Sequence, residues 1–390
     1  MKLTSVNNLD NYEFVKTNFV NKCLKNAGYQ ETEFEKVYPD FNNSLINITS
    51  SIQNHFGFNS SFSTLPILDK YLKGSKHVVL LVLDGMGLDI MESNLPDDAF
   101  VRKHLVSKVT SIFPPTTVAA TTALRSGLLP GVTGWVGWQQ YFEKLDVNIS
   151  LFRNVDYYTN EPLDSNIINE EIGFIPFATK FKHSYELFPH FVDGGFQDFN
   201  LLCNELKRIT YLDEENYTYA YWDKPDALIH EYGCYNDIIK DNLHSIDEAL
   251  KNISQELGPD TTLIITADHG LLDVKEIYIN SFTEVTQYFV HKPSIEGRAM
   301  AFHVNDKEAF RQTFNKYFKS YFDLYSYEEF LALKLLGEEV TKAKKYLGDF
   351  IAIAKREYFI NPKSVEGIFT AAHAGITKAE MLVPLIIYKS

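Results

Sequence analysis

The sequence predicts an α/β protein built on a parallel sheet, and three short apolar segments carry this prediction. The segments Val78–Leu83, Tyr217–Trp222 and Thr262–Thr266 contain no charged residue and are rich in β-branched, aliphatic or aromatic side chains. Strands that helices cover on both faces have this composition. Between the second and third segments, residues 239–250 place apolar side chains three and four positions apart, which predicts an amphipathic helix. Strands separated by helices indicate the α/β class.

Length, composition and charge limit the classes of partner. A chain of 390 residues with 45% hydrophobic residues can form one large α/β domain with insertions, or two domains. The formal net charge of −14 argues against a nucleic-acid polymer or an anionic membrane surface, because both require clustered lysine and arginine. A small anionic substrate stays compatible with this charge if bound metal ions reverse it locally. We therefore expect a small-molecule substrate.

Cysteine content and the N-terminal segment predict the compartment. Three widely separated cysteines, Cys23, Cys203 and Cys234, do not form a disulfide framework. The first residues lack a hydrophobic signal core, and no apolar run reaches the roughly 20 residues of a membrane-spanning helix. We expect a soluble, cytoplasmic protein. A homodimer is an open alternative to a monomer.

Changes of composition along the chain divide it into two parts. Residues 1–70 are polar and asparagine-rich with scattered large apolar residues, which predicts an N-terminal helical arm. Residues 71–390 form the main domain. Within it, residues 276–365 are richer in charged and aromatic residues and weakly periodic, so we expect an inserted lobe there. The clearest strand of this lobe is Arg298–Val304.

A threonine at a predicted helix start is the candidate nucleophile. Pro114 and Pro115 are followed by a Thr/Ala-rich run with no helix breaker before Gly127, so a helix should begin near Thr117. There the hydroxyl and the free N–H groups of the first turn face one point, where the helix dipole favours an anion such as phosphate. Threonine is also a common N-cap residue, and Thr116 is a rival nucleophile, so the stretch alone leaves these alternatives open.

Carboxylates and imidazoles recur beside glycine turns and at strand ends. An acid follows the first predicted strand, an acid and a histidine follow the third, and an acid and a histidine four residues apart would share one helical face. Three carboxylates and three imidazoles are a suitable ligand set for two zinc-like ions in one cavity. These candidate metal ligands are Asp84, Asp226, His230, Asp268, His269 and His373.

The same segments carry a family resemblance. From about residue 77 to its end the chain resembles the alkaline phosphatase superfamily, and within it the type I phosphodiesterase/nucleotide pyrophosphatase family. The resemblance rests on five motifs in this order: Leu83-Asp84-Gly-Met-Gly87, Phe113-Pro-Pro-Thr-Thr117, Pro225-Asp226-x-x-x-His230-x-x-Gly233, Asp268-His269-Gly270 and His373. The resemblance implies a three-layer αβα sandwich with a small inserted cap lobe, in which residues 71–390 are the catalytic domain.

The resemblance also implies roles for the candidate residues. One divalent metal ion, zinc or alternatively manganese, would be held by Asp226, His230 and His373. A second ion would be held by Asp84, Asp268 and His269. Thr117 would lie between the two ions and form a phospho-threonine intermediate during hydrolysis of a phosphoric ester, preferably a phosphodiester.

Two positions depart from the family pattern and are the candidate substrate contacts. Val118 follows the nucleophile where nucleotide-cleaving members have an aromatic residue, and Trp138 lies near the position of a phosphate-binding asparagine. A phosphomonoesterase, a phosphonate hydrolase and a phosphomutase are therefore alternatives within the superfamily. A metal-binding protein without catalysis is the alternative of another class.

Overall fold

The structure, a computed structural model, describes residues 35–164, 166–363 and 369–390. Residues 1–34 of the predicted helical arm lie outside these ranges. From Lys36 onward the chain forms one compact unit. Among the helices of the described ranges, none is both long and apolar enough to cross a lipid bilayer.

The strands of the described ranges alternate with helices along much of the chain. The strands are β1 (His77–Leu83), β2 (Leu105–Thr110), β3 (Gln139–Phe142), β4 (Val147–Ser150), β5 (Val155–Asp156), β6 (Ser184–Leu187), β7 (Asn216–Trp222), β8 (Thr261–Thr266), β9 (Leu272–Asp273), β10 (Lys275–Tyr278), β11 (Ser294–Ile295), β12 (Ala299–Phe302), β13 (Phe322–Ser326), β14 (Phe350–Ala354), β15 (Tyr358–Asn361), β16 (Ala371–Ala372) and β17 (Leu382–Lys389).

Most of the helices are short. They are α1 (Leu45–His55), α2 (Pro66–Leu72), α3 (Leu88–Asn94), α4 (Phe100–Lys103), α5 (Thr117–Ser126), α6 (Pro130–Thr133), α7 (Ile167–Ile172), α8 (Phe199–Thr210), α9 (Asp226–Tyr232), α10 (Asp237–Ser254), α11 (Thr283–Thr286), α12 (Lys307–Phe318), α13 (Tyr327–Ala332) and α14 (Lys378–Met381). Short 3₁₀ helices span Phe177–Lys180, Ile279–Ser281 and Ala343–Tyr346.

The central sheet has six strands in the order β2-β17-β8-β1-β7-β6. The three segments predicted as buried strands are β1, β7 and β8, and they are adjacent and parallel at its centre. Leu83 pairs with Trp222, and Val82 pairs with Thr266, so these three strands end at the same edge. The residues that follow them are therefore brought together, as expected for the ligand-binding edge of a parallel sheet.

Two groups of helices cover the central sheet. Helix α10 contacts α3, α4, α8 and α9, while α1 contacts α2 and α5. The spacing of three and four positions that predicted α10 from the sequence places Ile239, Leu243 and Leu250 on one face of the helix, and all three are buried in the core. Leu45 and Ile52 of α1 enter the same core. This architecture is the predicted α/β sandwich, with helices on both sides of a central sheet.

The inserted lobe is larger than the predicted range of residues 276–365. Its sheet has seven strands in the order β13-β14-β12-β11-β3-β4-β5, so β3, β4 and β5 come from an earlier segment. The two segments join where Ile295 of β11 pairs with Gln139 of β3. A Cβ atom on Gly137 would lie 2.8 Å from the carbonyl oxygen of Ile295, so this close approach of the two backbones requires glycine. The sequence pattern of each segment alone does not reveal this pairing.

Candidate metal centre and active site

Two loops at the edge of the central sheet position the first group of acids. The loop after β1 carries Asp84, and the loop after β8 carries Asp268. The backbone N–H of Gly85 donates to Oδ1 of Asp268 at 3.1 Å, and the Tyr221 hydroxyl donates to Oδ2 of Asp84. These bonds hold the carboxyl group of Asp268 on the backbone of the sheet edge and that of Asp84 on a side chain of the neighbouring strand β7.

Asp84, Asp268 and His269 form the first candidate metal group. One ligand atom from each of these buried residues lies within 4.8 Å of the other two. Nε2 of His269 is 3.4 Å from Oδ1 of Asp84 and 3.6 Å from Oδ2 of Asp268. The arrangement offers two carboxylate oxygens and one imidazole nitrogen to a single point.

Asp226, His230 and His373 form the second candidate metal group, with the same mutual limit of 4.8 Å. Helix α9 places Asp226 and His230 one turn apart, and Nε2 of His230 lies 3.3 Å from Oδ2 of Asp226. Nδ1 of His230 lies 2.7 Å from the Ala371 carbonyl oxygen, and Nδ1 of His373 lies 3.0 Å from that of Pro115. Histidines that donate through Nδ1 to a carbonyl leave Nε2 available for a metal.

The two groups share one site. The imidazole rings of His269 and His373, one from each group, stack with their centroids 3.8 Å apart and an interplanar angle of 22°. The structure therefore brings the six candidate ligands, which span nearly three hundred residues of chain, to one place in the fold.

Burial and mutual repulsion dominate the electrostatics of this site. Burial, together with the charges of Asp268 and Asp226, raises the pKa of Asp84 well above its usual value. Burial also raises the pKa of Asp268. Burial would raise the pKa of Asp226 as well, but the nearby His230 holds it below its usual value. Burial, and then the neighbouring His269, lowers the pKa of His373.

The donor set fits divalent metal ions. Oδ1 of Asp84, Oδ1 of Asp226 and Oδ2 of Asp268 are buried and have no hydrogen-bond partner in the described ranges. A buried carboxylate oxygen without a donor is strongly destabilising, and a bound cation would compensate for it. Mixed carboxylate and imidazole ligands suit zinc and related divalent ions.

Thr117, the first residue of α5, lies beside the first group. Its Oγ1 is 3.4 Å from Oδ2 of Asp84 and 3.3 Å from Nε2 of His269. The rival hydroxyl, that of Thr116, instead donates to Oε1 of Glu296 at 2.7 Å. The geometry therefore favours Thr117 over Thr116 as the hydroxyl that faces the candidate ligands.

A cavity of about 390 Å³ opens in front of these residues. Thr117, Asp226, His230 and His373 line it, and so does Trp138, one of the two predicted substrate contacts. The other predicted contact, Val118, does not. Its side chain is fully buried in the apolar core of the lobe, where α5 packs against it, so it cannot reach a substrate directly.

Sequence reasoning missed two residues of the site. Glu296 lines the cavity, and its Oε1 accepts from the Thr116 hydroxyl and from the Trp138 backbone N–H, each at 2.7 Å. Burial raises the pKa of Glu296 to about 7. No motif singles it out among the acids of the lobe. Tyr221, which donates to Asp84, is hidden in the sequence among the aromatic residues of β7.

Three comparisons with known proteins bear on these residues. Residues 78–375 match the family model described as type I phosphodiesterase/nucleotide pyrophosphatase. No curated protein sequence matches the chain.

Similar folds occur among solved structures. One is murine ectonucleotide pyrophosphatase/phosphodiesterase 5, solved as an inactive variant in complex with AMP (TM-score 0.62, 16% identity, covering 80% of this chain and 87% of that chain). A second structure of this murine protein gives a TM-score of 0.62 at 16% identity, covering 80% of this chain and 88% of that chain. The human protein gives 0.60 at 16%, covering 80% and 87%. At 16% identity, the similarity to these structures shows a shared fold and carries no information on function.

The family match includes both candidate metal groups, the helix that begins at Thr117 and the sheet that positions them. The chain therefore belongs to the type I phosphodiesterase/nucleotide pyrophosphatase family and is a phosphoric ester hydrolase of that type.

Proposed function

We propose that the chain hydrolyses phosphodiesters through a phospho-threonine intermediate on Thr117, with two divalent ions, preferably zinc. Asp226, His230 and His373 would hold one ion, and Asp84, Asp268 and His269 the other. The observation that carries the proposal is the position of Thr117 Oγ1, which lies 3.3 to 3.4 Å from ligand atoms of the first group. In that group each carboxylate has one buried oxygen without a hydrogen-bond donor in the described ranges.

Helix α5 supports the first chemical step. As Thr117 is its first residue, the unpaired N–H groups of the first turn point toward the same place as its hydroxyl. They stabilise negative charge on the phosphoryl oxygens while Oγ1 attacks phosphorus and the bond to the leaving alcohol breaks. The product of this step is a phosphodiester between Thr117 and the remaining alcohol.

Water completes the reaction. Attack of water on phosphorus breaks the bond to Oγ1, releases a phosphate monoester and restores the Thr117 hydroxyl. Metal ions in such sites lower the pKa of a bound hydroxyl or water and stabilise charge on the transferred group. The chain itself keeps the ligands oriented through hydrogen bonds. Tyr221 bonds to Asp84, and Gly85 bonds to Asp268. His230 bonds to the carbonyl group of Ala371.

Turnover by a Thr117→Ala variant tests the proposal. The substrate is bis-p-nitrophenyl phosphate, and the zinc-loaded wild-type and variant proteins are compared. The variant should keep its metal content and lose at least about 100-fold in kcat, since it lacks the attacking oxygen.

Thr116→Ala is the matched control, because the Thr116 hydroxyl points toward Glu296 instead of the candidate ligands. It should lose far less activity than Thr117→Ala. Unchanged turnover in Thr117→Ala would exclude the mechanism.

The cytoplasmic location and the oligomeric state stay predictions from the sequence.

A further inference from the structure

Two basic side chains line the same cavity as the residues of the second metal group. They are Arg153 and Lys363, and Tyr157 and Asn160 line the cavity with them. Within the described ranges neither basic side chain forms an ion pair or a side-chain hydrogen bond. No carboxylate of these ranges therefore neutralises either charge.

The loop that carries Arg153 is held firmly. The backbone N–H of Arg153 donates to the Ser150 carbonyl oxygen at 3.2 Å. The backbone N–H of Tyr157 donates to the Asn148 carbonyl oxygen at 2.8 Å. Next to Arg153, the ring of Phe152 packs edge-on against Trp138, with ring centroids 6.0 Å apart. The base of the arginine side chain thus has a defined position beside the cavity.

Lys363 contacts Tyr157, another residue that lines the cavity. Its Nζ is 3.9 Å from the ring centroid of Tyr157. Burial, and then the nearby charge of Arg153, lowers the pKa of Lys363. The carboxylate of Asp156, which acts on Lys363 in the opposite direction, already accepts the backbone N–H groups of Tyr158 and Thr159 at 2.7 and 2.9 Å. An anion between the two cations would remove their mutual repulsion.

Aromatic side chains also line this cavity. Trp138, Phe359 and Phe369 are among its lining residues, and they offer apolar surface to the arm of a substrate. The cavity therefore combines metal-group residues, aromatic surface and two basic side chains.

We propose that Arg153 and Lys363 form a subsite for a second anionic group of the substrate. The preferred substrate is then a phosphodiester with one arm that contacts these aromatic side chains and ends in a carboxylate or a phosphate. This inference rests on the proposed function, which places the scissile phosphoryl group at Thr117. It adds the class of substrate that the cavity would prefer.

Three matched diesters test the subsite. Each has a p-nitrophenyl leaving group and a four-carbon arm, and the arms end in a methyl, a carboxylate or a phosphate group. The zinc-loaded protein should show a kcat/KM at least about tenfold higher for one or both charged arms than for the methyl arm. The comparison of carboxylate with phosphate identifies the preferred anion. Equal kcat/KM values for all three diesters would overturn the proposal.

A double variant, Arg153→Gln/Lys363→Gln, connects the preference to these side chains. The ratio of kcat/KM between charged and methyl arms should fall to about one. The matched control is Arg208→Gln/Lys319→Gln, which removes the same charges from exposed positions outside the cavity lining and should keep the wild-type ratio. A preference that survives in the Arg153/Lys363 variant would contradict the assignment.

Calorimetry separates this proposal from the proposed function. The zinc-loaded Thr117→Ala protein is titrated with the methyl and phosphate diesters, so that binding is measured without turnover. Tighter binding of the phosphate diester, lost when Arg153 and Lys363 are also replaced, would support the subsite even if no diester were hydrolysed. Equal affinities would reject the subsite even if the wild-type protein hydrolysed both.

Discussion

The backbone N–H of Asp226 donates a hydrogen bond of 3.0 Å to the backbone carbonyl of Asp84. This bond joins the two candidate metal groups through the main chain, since each group contributes one of the two residues. The start of α9 is thereby tied to the end of β1. The distance between the groups depends on this bond and on Gly85, which follows Asp84 and packs against Asp226.

Gly85→Ala should damage both metal groups. Gly85 has φ +72°, and a Cβ there would lie 2.8 Å from Cβ of Asp226. Positive φ alone destabilises alanine by about 1 to 2 kcal/mol, and the steric overlap adds about 1 to 3 kcal/mol. We expect lower metal content and a lower free energy of unfolding, measured by elemental analysis and urea titration.

Gly57→Ala is the control for this substitution. Gly57 has φ +77° and nothing within 4 Å of its added Cβ, so it carries only the backbone strain. The prediction is wrong if both variants lose the same stability and Gly85→Ala keeps full metal content.

Tyr221→Phe should weaken metal binding at Asp84. The phenol donates to Oδ2 of Asp84, and loss of such an outer hydrogen bond typically reduces metal affinity by about 10- to 100-fold. Tyr219→Phe is the matched control two residues away on the same strand, because its buried hydroxyl has no hydrogen-bond partner in the described ranges. Competition with a chromophoric chelator measures both affinities, and equal values would argue against the role of Tyr221.

Arg298→Met should strongly destabilise the fold. Arg298 is fully buried and forms a two-point ion pair with the buried Glu380, at 2.6 and 2.8 Å. It ties the lobe to the segment that follows His373. Removing it leaves a buried carboxylate without its cation, which costs about 3 to 5 kcal/mol in the free energy of unfolding.

Arg311→Met removes one partner of an exposed pair with Glu329 and is the control. It should cost no more than about 1 kcal/mol. Urea unfolding measures both values, and similar losses would show that the buried pair has no special role. In the double variant Arg298→Met/Glu380→Leu, part of the stability should return, because no unpaired charge remains.

Glu296→Gln should change how stability depends on pH in the metal-free protein. Burial raises the pKa of Glu296 to about 7, so the folded state disfavours the ionised carboxylate. The stability that the neutral form contributes is fully present below the unfolded pKa, near 4.3, and is lost as pH rises to about 7. Glutamine can still accept from Thr116 and Trp138 but does not ionise.

The variant should therefore gain stability relative to wild type as pH rises from 4 to 8, by about 3 kcal/mol in total. Urea unfolding of both proteins at intervals of pH checks this, because groups common to both proteins cancel in the difference. A difference that stays constant across this range would contradict a raised pKa for Glu296.

The central strands and the candidate ligands could be predicted because their signals are local. Val78–Leu83 is apolar at every position, Asp84 follows this buried strand directly, and Asp268 follows another buried strand after one residue. The i and i+4 spacing of Asp226 and His230 likewise places them on one face of α9. Each of these features depends on residues within a few positions.

The lobe and the rest of the cavity depend on contacts between distant segments. Glu296 is a site residue only because β11 pairs with β3, which brings it next to Trp138. The position of Val118 directly after Thr117 predicts a substrate contact. In helix α5, however, successive side chains point in different directions, so that of Val118 points away from the cavity and into the core of the lobe. Such relationships appear only when the packing of the lobe is known.

The most direct test of the metal centre is the number of zinc ions bound per chain at saturation, measured by elemental analysis after removal of free metal. The wild-type protein should bind two ions, one for each candidate group. Replacing Asp226, His230 and His373 together by alanine should leave about one ion per chain. A wild-type chain that binds no zinc, or a variant that still binds two ions, would contradict the assignment of these residues as metal ligands.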